Sequence, residues 1–338
     1  MNKSNNFFNY PLMFIFMIFM LMLNFLSTMT SNLIYLWMLL EINLMLFIFL
    51  MIKTSNNQSI IPLFFIIQSL SSLILIWIFN FNSNMLNQKL IEFFFLISIC
   101  MKLGLFPFTW VPPIFMEQMN WNLIFMFSTL QKFIPFMMIK NFNTQYNEWI
   151  MWICLISIIF STIKSLFTNK IKHLMAYSSI NNSSWMIMLI IMNFFVFKIY
   201  FILYLMLMFS ISTFFNKMNL KFLSDMLMTS ENLNMFILLI IIIFSLSMIP
   251  PLSSFIIKLM ASLTLIYNKL YFPTLILMIC STLSIIMYMS ILIKLLFYRS
   301  IKFKNKFNFY KKNIKTNYYF IMFKIMFTTF CMSLYLIF

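Results

Sequence analysis

Eleven long apolar runs, set apart by short clusters of Asn, Lys, Ser and Pro, organise this 338-residue chain. They fall at about 7–26, 31–52, 59–80, 89–106, 121–140, 147–167, 172–192, 195–216, 233–262, 271–297 and 319–337. A hydrocarbon core about 30 Å thick needs roughly 20 apolar residues in helical form, and the runs match that length. They are too long for membrane strands and lack the alternation of apolar and polar residues that strands need. The pattern predicts an all-α integral membrane protein of about 11 transmembrane helices, one polytopic domain over residues 1–338. The longest polar stretch is a basic loop at 299–317, ahead of a C-terminal helix at 319–337. The first run follows Lys3, as in a signal peptide, but it has full-span length and no small-residue cleavage pattern. It reads as the first helix.

Composition agrees. Hydrophobic residues make up 63% of the chain and charged residues 9%, whereas a soluble domain carries about 25% charged residues. There is one glycine (Gly104), one arginine (Arg299), two alanines (Ala176, Ala261) and two valines (Val111, Val196). Residues with GC-rich codons or codons starting with G are scarce, which reads as AT bias in the genome. The 35 methionines fit a code in which ATA reads as Met, as in animal mitochondria. One physical consequence follows: close helix contacts through small residues must use serine and threonine. Cys100, Cys154, Cys280 and Cys331 lie far apart in apolar runs and form no CxxC. With a single His173 they make no metal-ligand set and read as buried free thiols. One glycine also excludes a nucleotide-binding glycine loop.

The net charge of +17 would suggest nucleic acid in a soluble protein. Here the lysines sort by loop instead. With the N-terminus inside, the inner side receives Lys3, Lys53, Lys164, Lys170, Lys172, Lys217, Lys221, Arg299, Lys302, Lys304, Lys306, Lys311, Lys312 and Lys315. The outer side receives Lys89, Lys140, Lys198 and Lys269. That asymmetry predicts N-terminus inside and C-terminus outside.

Five lysines remain. Lys294 and Lys324 sit near the inner ends of their helices and can snorkel to the headgroups. Lys102, Lys132 and Lys258 lie deeper, and Glu41 occupies the centre of the second run. Each such charge costs about 2.5–3.5 kcal/mol at the bilayer centre on insertion scales. Three lysines cannot all pair with one carboxylate, so static ion pairs leave a mismatch that a hydrated, proton-exchanging pathway removes. Prolines cluster at the same places: Pro107 and Pro112–Pro113 follow Lys102, Pro135 follows Lys132, and Pro250–Pro251 precede Lys258. A proline frees a helix carbonyl. In membranes such breaks persist where protein or a water-filled cavity satisfies them, as in transporters.

The segments "WMLLEINL", "MKLGLFPFTWVPPIFME", "LQKFIPFMM", "IKHLMAYSSINNSSWM" and "LSMIPPLSSFIIK" occur in that order. Together, across about 31–262, they resemble the mitochondrially encoded chain 2 family of NADH-ubiquinone oxidoreductase, antiporter-like membrane subunits of respiratory complex I. The resemblance implies an antiporter-like fold with broken helices. It implies a proton relay of a glutamate–lysine pair, Glu41 with Lys102, a central Lys132, and Lys258 in a broken helix. It also implies the mitochondrial inner membrane, with the N-terminus on the matrix side and the C-terminus toward the intermembrane space. The partners it implies are other membrane-arm subunits, neighbouring antiporter-like subunits and accessory subunits. No cofactor is expected in this chain; NADH, FMN, iron–sulfur clusters and ubiquinone would belong to partner subunits. Basic inner loops invite anionic lipid such as cardiolipin, and no nucleic acid is expected.

Departures from the family pattern stand at Thr109 and Asn182, where the family usually has histidine, and at Ser247 and Met248, where it has Gly-Gly. Water, Asn182 and the hydroxyls of Ser183 and Ser184 would then carry protons between Lys132 and Lys258, unless those hydroxyls only pack helices. Glu117 in the inner connection reads either as an acid for proton uptake or as a solvated loop or interface carboxylate, and Glu92 is similarly open. His173 reads as a surface residue. Two like charges about 7 Å apart at an effective dielectric near 20 repel by about 2.4 kcal/mol, so separation of Glu41 from Lys102 would press a proton from Lys132 toward Lys258. A free-standing cation/proton antiporter and a structural subunit with a decayed proton path are the alternatives.

Overall fold

The computed structural model describes residues 5–54, 59–81, 88–142, 147–218, 225, 233–247 and 253–305. Their helices are α1 (Asn5–Met29), α2 (Leu33–Thr54), α3 (Ile60–Phe81), α4 (Gln88–Leu103), α5 (Val111–Gln118), α6 (Trp121–Ser128), α7 (Leu130–Asn141), α8 (Asn147–Leu166), α9 (Ile171–Met192), α10 (Phe194–Met218), α11 (Leu233–Leu246), α12 (Ser253–Tyr267) and α13 (Tyr271–Asn305). Six stretches are long and apolar enough to cross a membrane, among them Leu33–Thr54, Trp121–Asn141 and Tyr271–Phe297. The expected span at 319–337, most of the basic loop at 299–317, and Pro250–Pro251 lie outside the described residues.

Three expectations change. The predicted span at 121–140 is two helices, α6 and α7, and the predicted span at 233–262 is also two, α11 and α12. The connection after Pro107 contains a short helix, α5, with proline at its first positions, where the missing N–H costs nothing. The fifth span breaks at Thr129 rather than at Pro135, which α7 carries inside it. The cause is local. Ser128 Oγ and Thr129 Oγ1 both donate to the Phe125 carbonyl, at 3.1 and 2.6 Å, and such back-bonding bends helices. Asn24 of α1 donates to the Leu130 carbonyl at 3.2 Å, and Gln131 donates to the Asn43 carbonyl at 3.0 Å. Neighbouring helices therefore hold the broken segment by its polar groups.

α9 is the axis of the fold. It packs against α5, α7, α8, α10 and α12, and most of its residues are buried. Full enclosure by protein lets a helix reading "AYSSINNSSW" lie in an apolar chain, because its polar groups meet protein and not lipid. The α8–α9 contact uses serine as the scarcity of glycine required: Ser157 and Ser184 hydroxyls meet at 2.8 Å. Peripheral helices instead turn large apolar side chains outward, with Phe14, Phe195 and Leu275 each more than 60% exposed. That surface suits acyl chains or partner helices.

The one glycine has a positional reason as well as a compositional one. α4 ends because Gly104 takes a left-handed conformation, φ +71°, and its N–H and that of Leu105 both return to the Cys100 carbonyl at 2.9 and 3.0 Å. A Cβ at Gly104 would stand 2.2 Å from Cγ of Pro112. Glycine thus lets the start of α5 seat on the end of α4, two residues past Lys102.

Candidate functional site

All three deep lysines are buried: Lys102 is 6%, Lys132 4% and Lys258 7% exposed. None makes an ion pair among the described residues. Each meets a different kind of neutral partner.

Lys102, on the last turn of α4, donates to the Gln68 carbonyl of α3 at 3.5 Å. Glu41 of α2 is close enough to act on it electrostatically without closing a salt bridge. Glu41 itself is half-buried, and its Oε1 is buried with no hydrogen-bond partner among the described residues. The same residue lines an apolar groove of about 390 Å³ with Phe16, Ile42, Met45, Leu46 and Phe49.

Lys132 lies one residue beyond the first turn opened by the Thr129 break. Its Nζ donates to the carbonyl and to the hydroxyl of Ser179 on α9, at 3.2 and 3.3 Å. A hydrogen bond to a charged group contributes about 1.5–3 kcal/mol, so Ser179 offsets much of the cost of burying this ammonium. Lys258 of α12 lies 5.8 Å from the ring centroid of Trp185, also on α9. Six residues separate Ser179 from Trp185, a rise of about 9 Å along the helix. One rigid helix therefore touches both lysines.

Beside Lys258 is an internal chamber of about 50 Å³. A water molecule needs about 10–15 Å³ of such space, so the chamber has room for more than one. Serines of α8, Asn181 and Asn182 of α9, Tyr200 and Tyr204 of α10, Ser254 of α12 and Tyr288 of α13 wall it. Tyr200 donates to Asn182 Oδ1 at 3.0 Å. Four other buried polar atoms on the wall have no hydrogen-bond partner among the described residues: Asn181 Oδ1, Tyr204 OH, Ser254 Oγ and Tyr288 OH. Each such group costs about 1–3 kcal/mol unless satisfied, so a dry chamber would be an expensive one.

Asn182 thus stands in the chamber wall between the two lysines. Ser183 does not: its hydroxyl turns back to the Ile180 carbonyl at 2.8 Å, and Ser184 serves the α8 contact. Thr109 is buried at the α4–α5 connection. Sequence reasoning missed Gln68, Ser179, Asn181, Tyr204 and Tyr288. The signal available was that each is a polar group inside an otherwise apolar run, with Tyr200 and Tyr204 one turn apart on one face.

Glu117 forms a separate cluster at the other end of α9. Its carboxylate pairs with Lys170 through Oε1 and meets His173 Nε2 at 2.8 Å through Oε2. Lys172 Nζ donates to the Glu117 and Met119 carbonyls at 3.0 and 2.6 Å, a cation at the C-terminal end of α5 where the helix dipole favours one. The Lys170 ammonium, with His173 adding to it, holds the Glu117 carboxyl below the usual carboxylate range. His173 is accordingly a half-buried partner rather than a free surface residue. Glu92 is buried and lines an apolar groove of about 520 Å³ with Lys89, Cys100, Pro107 and Trp149.

The family described as NADH:quinone oxidoreductase/Mrp antiporter, transmembrane, matches residues 30–286. NADH-ubiquinone oxidoreductase chain 2 of Rhipicephalus sanguineus is 30% identical over 308 residues, 89% of this chain and 94% of its own length. The Locusta migratoria protein of the same name is 27% identical over 293 residues, 84% of this chain and 85% of its own. Among solved structures, a chain of respiratory complex I from Thermus thermophilus superposes with a TM-score of 0.70 at 14% identity, covering 90% of this chain and 72% of that one. At that identity the likeness concerns the fold.

Proposed function

The chain belongs to the NADH:quinone oxidoreductase/Mrp antiporter transmembrane family, and we propose that it serves as the chain 2 membrane subunit of mitochondrial NADH-ubiquinone oxidoreductase, moving protons through a relay of Glu41, Lys102, Lys132 and Lys258. The observation that carries the relay is the state of its lysines. Three ammonium-bearing side chains are buried without an ion pair, each held by a carbonyl, a hydroxyl or an aromatic ring. A lysine kept only as a structural cation would need a permanent counter-charge. A lysine with neutral partners can lose its proton without stranding a carboxylate.

In this mechanism the redox chemistry belongs to partner subunits, which hold the flavin, the iron–sulfur clusters and the quinone site. Their signal reaches Glu41, whose half-buried carboxylate stabilises Lys102 as a cation. When that pairing weakens, the field of Lys102 falls on Lys132, and the proton of Lys132 moves past Ser179 toward Lys258. The likeness to NADH-ubiquinone oxidoreductase chain 2 over 89% of this chain supports a subunit seated among other membrane-arm subunits in place of a free-standing antiporter. The loop lysines support an N-terminus on the matrix side. Glu117, tied to Lys170 and His173, acts as a clasp between α5 and α9.

The test is Lys132→Ala in the assembled complex, reconstituted into sealed vesicles. The expected result is fewer protons moved per electron, with NADH oxidation retained. An unaltered ratio would remove Lys132 from the relay.

A further inference from the structure

Two lysines outside the relay converge on one aromatic ring. Lys140, in the last turn of α7, stands 3.8 Å from the ring centroid of Phe194, and Lys198, one turn into α10, stands 5.0 Å from the same centroid. Two sides of a triangle bound the third, so the ammonium groups are at most about 9 Å apart, within the screening length of about 10 Å at 0.1 M salt. Both side chains are exposed, and neither has an ion pair among the described residues. The place is held from behind. Phe194 packs on the core and stacks on Phe197 with centroids 5.5 Å apart, and Asn141 fixes the end of α7 by donating to the Thr30 carbonyl at 3.0 Å. The ring attracts each cation but cancels neither charge. Two like charges gathered this closely call for an anion.

The surface beside the cations decides which anion. On α10, Phe195, Lys198, Ile202 and Met206 share one outward face at helical spacing, and the three apolar side chains are 62%, 55% and 55% exposed. From Lys198 to Met206 that face runs about 12 Å, most of the depth of about 15 Å that one leaflet gives its acyl chains. An aqueous phosphate would meet the cations and leave this face bare, and an acidic loop would not follow it into hydrocarbon. We infer that Lys140, Lys198 and Phe194 form a headgroup site for a phospholipid of net negative charge, with one acyl chain along Phe195, Ile202 and Met206. The two ammonium groups select a net anionic headgroup over a choline headgroup, whose own cation they repel. Both lysines belong to the sparse outer set, so the site is separate from the basic inner loops. Its phosphate joins the end of α7, eight residues from Lys132, to the start of α10.

Photolabelling tests this in the assembled complex, reconstituted into phosphatidylcholine vesicles that hold a low fraction of phosphatidylglycerol with a diazirine on one acyl chain. Label should fall on residues 195–206. A lysine near an anionic lipid surface changes affinity by about fivefold, so Lys140→Gln/Lys198→Gln should lower that label by about 25-fold and leave label elsewhere unchanged. Lys140→Arg/Lys198→Arg should keep it, and phosphatidylcholine bearing the same diazirine should label 195–206 weakly in every variant. Equal labelling of the parent and the glutamine variant, or of the parent by both lipids, would overturn the site. So would no label at 195–206, and carbodiimide coupling of Lys140 or Lys198 to a partner subunit would then identify a protein contact in its place. If the glutamine variant fails to assemble, the two lipids compared on the parent and on the arginine variant decide by the same criteria.

Discussion

Gly104→Ala replaces one hydrogen by a methyl group at the junction of α4 and α5, and its cost can be worked from two separate effects. The backbone there has φ +71°, where an L-residue loses about 1–2 kcal/mol relative to its preferred conformations. The new Cβ would also lie 2.2 Å from Cγ and 2.7 Å from Cδ of Pro112. A proline ring is tethered to its own backbone, so it cannot swing aside as the tip of a long side chain could. The start of α5 must move instead, and overpacking of this kind costs about 1–3 kcal/mol. Together the two effects amount to about 2–5 kcal/mol, a large part of the 5–15 kcal/mol that keeps a typical domain folded.

The two effects can be separated. Pro112→Ala removes the ring atoms that the methyl group would strike but leaves φ unchanged. Gly104→Ala/Pro112→Ala should therefore recover about 1–3 kcal/mol of the loss in a double-mutant cycle, with about 1–2 kcal/mol persisting. The assay is the thermal midpoint of the purified complex together with the fraction of subunit retained in it. Because Lys102 is two residues upstream, proton transfer should weaken along with stability. A Gly104→Ala complex as stable as the parent, or a double variant no better than Gly104→Ala alone, would refute the steric account of this glycine.

Three further outcomes follow from the same contacts. Ser179→Ala deletes one of the two oxygens on Lys132 and leaves the carbonyl, so the relay step should slow by about tenfold to a hundredfold, read as protons per electron at fixed NADH turnover. Asn24→Leu removes the amide at the Leu130 carbonyl; a lost buried bond costs about 1–3 kcal/mol, less some relief because Asn24 Oδ1 has no partner of its own among the described residues, so the thermal midpoint should fall modestly. Glu117 is held below the usual carboxylate range by Lys170, which means its clasp contributes fully above an ordinary glutamate pKa of about 4.3 and is lost as pH falls through its own lower value. The rate of amine acylation at Lys170 in Glu117→Gln divided by that in the parent at the same pH should therefore exceed one and stay constant from pH 7 down to about 5.

Much of the architecture was legible because lipid imposes one rule on every segment, that about 20 apolar residues must run together. The charges that break the rule, Glu41, Lys102, Lys132 and Lys258, stood out for the same reason. What was hidden depends on neighbours rather than on runs. Pro135 marked the right helix, but the break is at Thr129, where two hydroxyls compete for one carbonyl. Gly104 read as codon bias that also fell in the lysine-bearing "KLGLFPF" motif; its steric reason, Pro112 eight residues away against its Cα, needed the fold. The chamber was least legible, since its tyrosines come from positions 177, 200, 204 and 288 and nothing in any one segment aligns them. Asn182 was singled out by resemblance alone, and Ser183, singled out with it, turns its hydroxyl to its own helix.

The polarity of α9 ties these observations together. A helix that faced lipid could not carry Ser179, Asn181, Asn182, Ser183 and Ser184 in six residues, because each unpaired group would cost several kcal/mol in hydrocarbon. Enclosed by α5, α7, α8, α10 and α12, the same residues become partners: Ser184 for α8, Ser179 for Lys132, Asn182 for Tyr200. The enclosure also explains why three lysines can coexist with so little carboxylate. A neutral oxygen stabilises an ammonium less than a carboxylate does, and it accepts a water equally well once the proton has left. A pathway that must hold a charge briefly and release it is better lined by serine, asparagine and tyrosine than by fixed counter-ions, and those are the residues that surround Lys132 and Lys258.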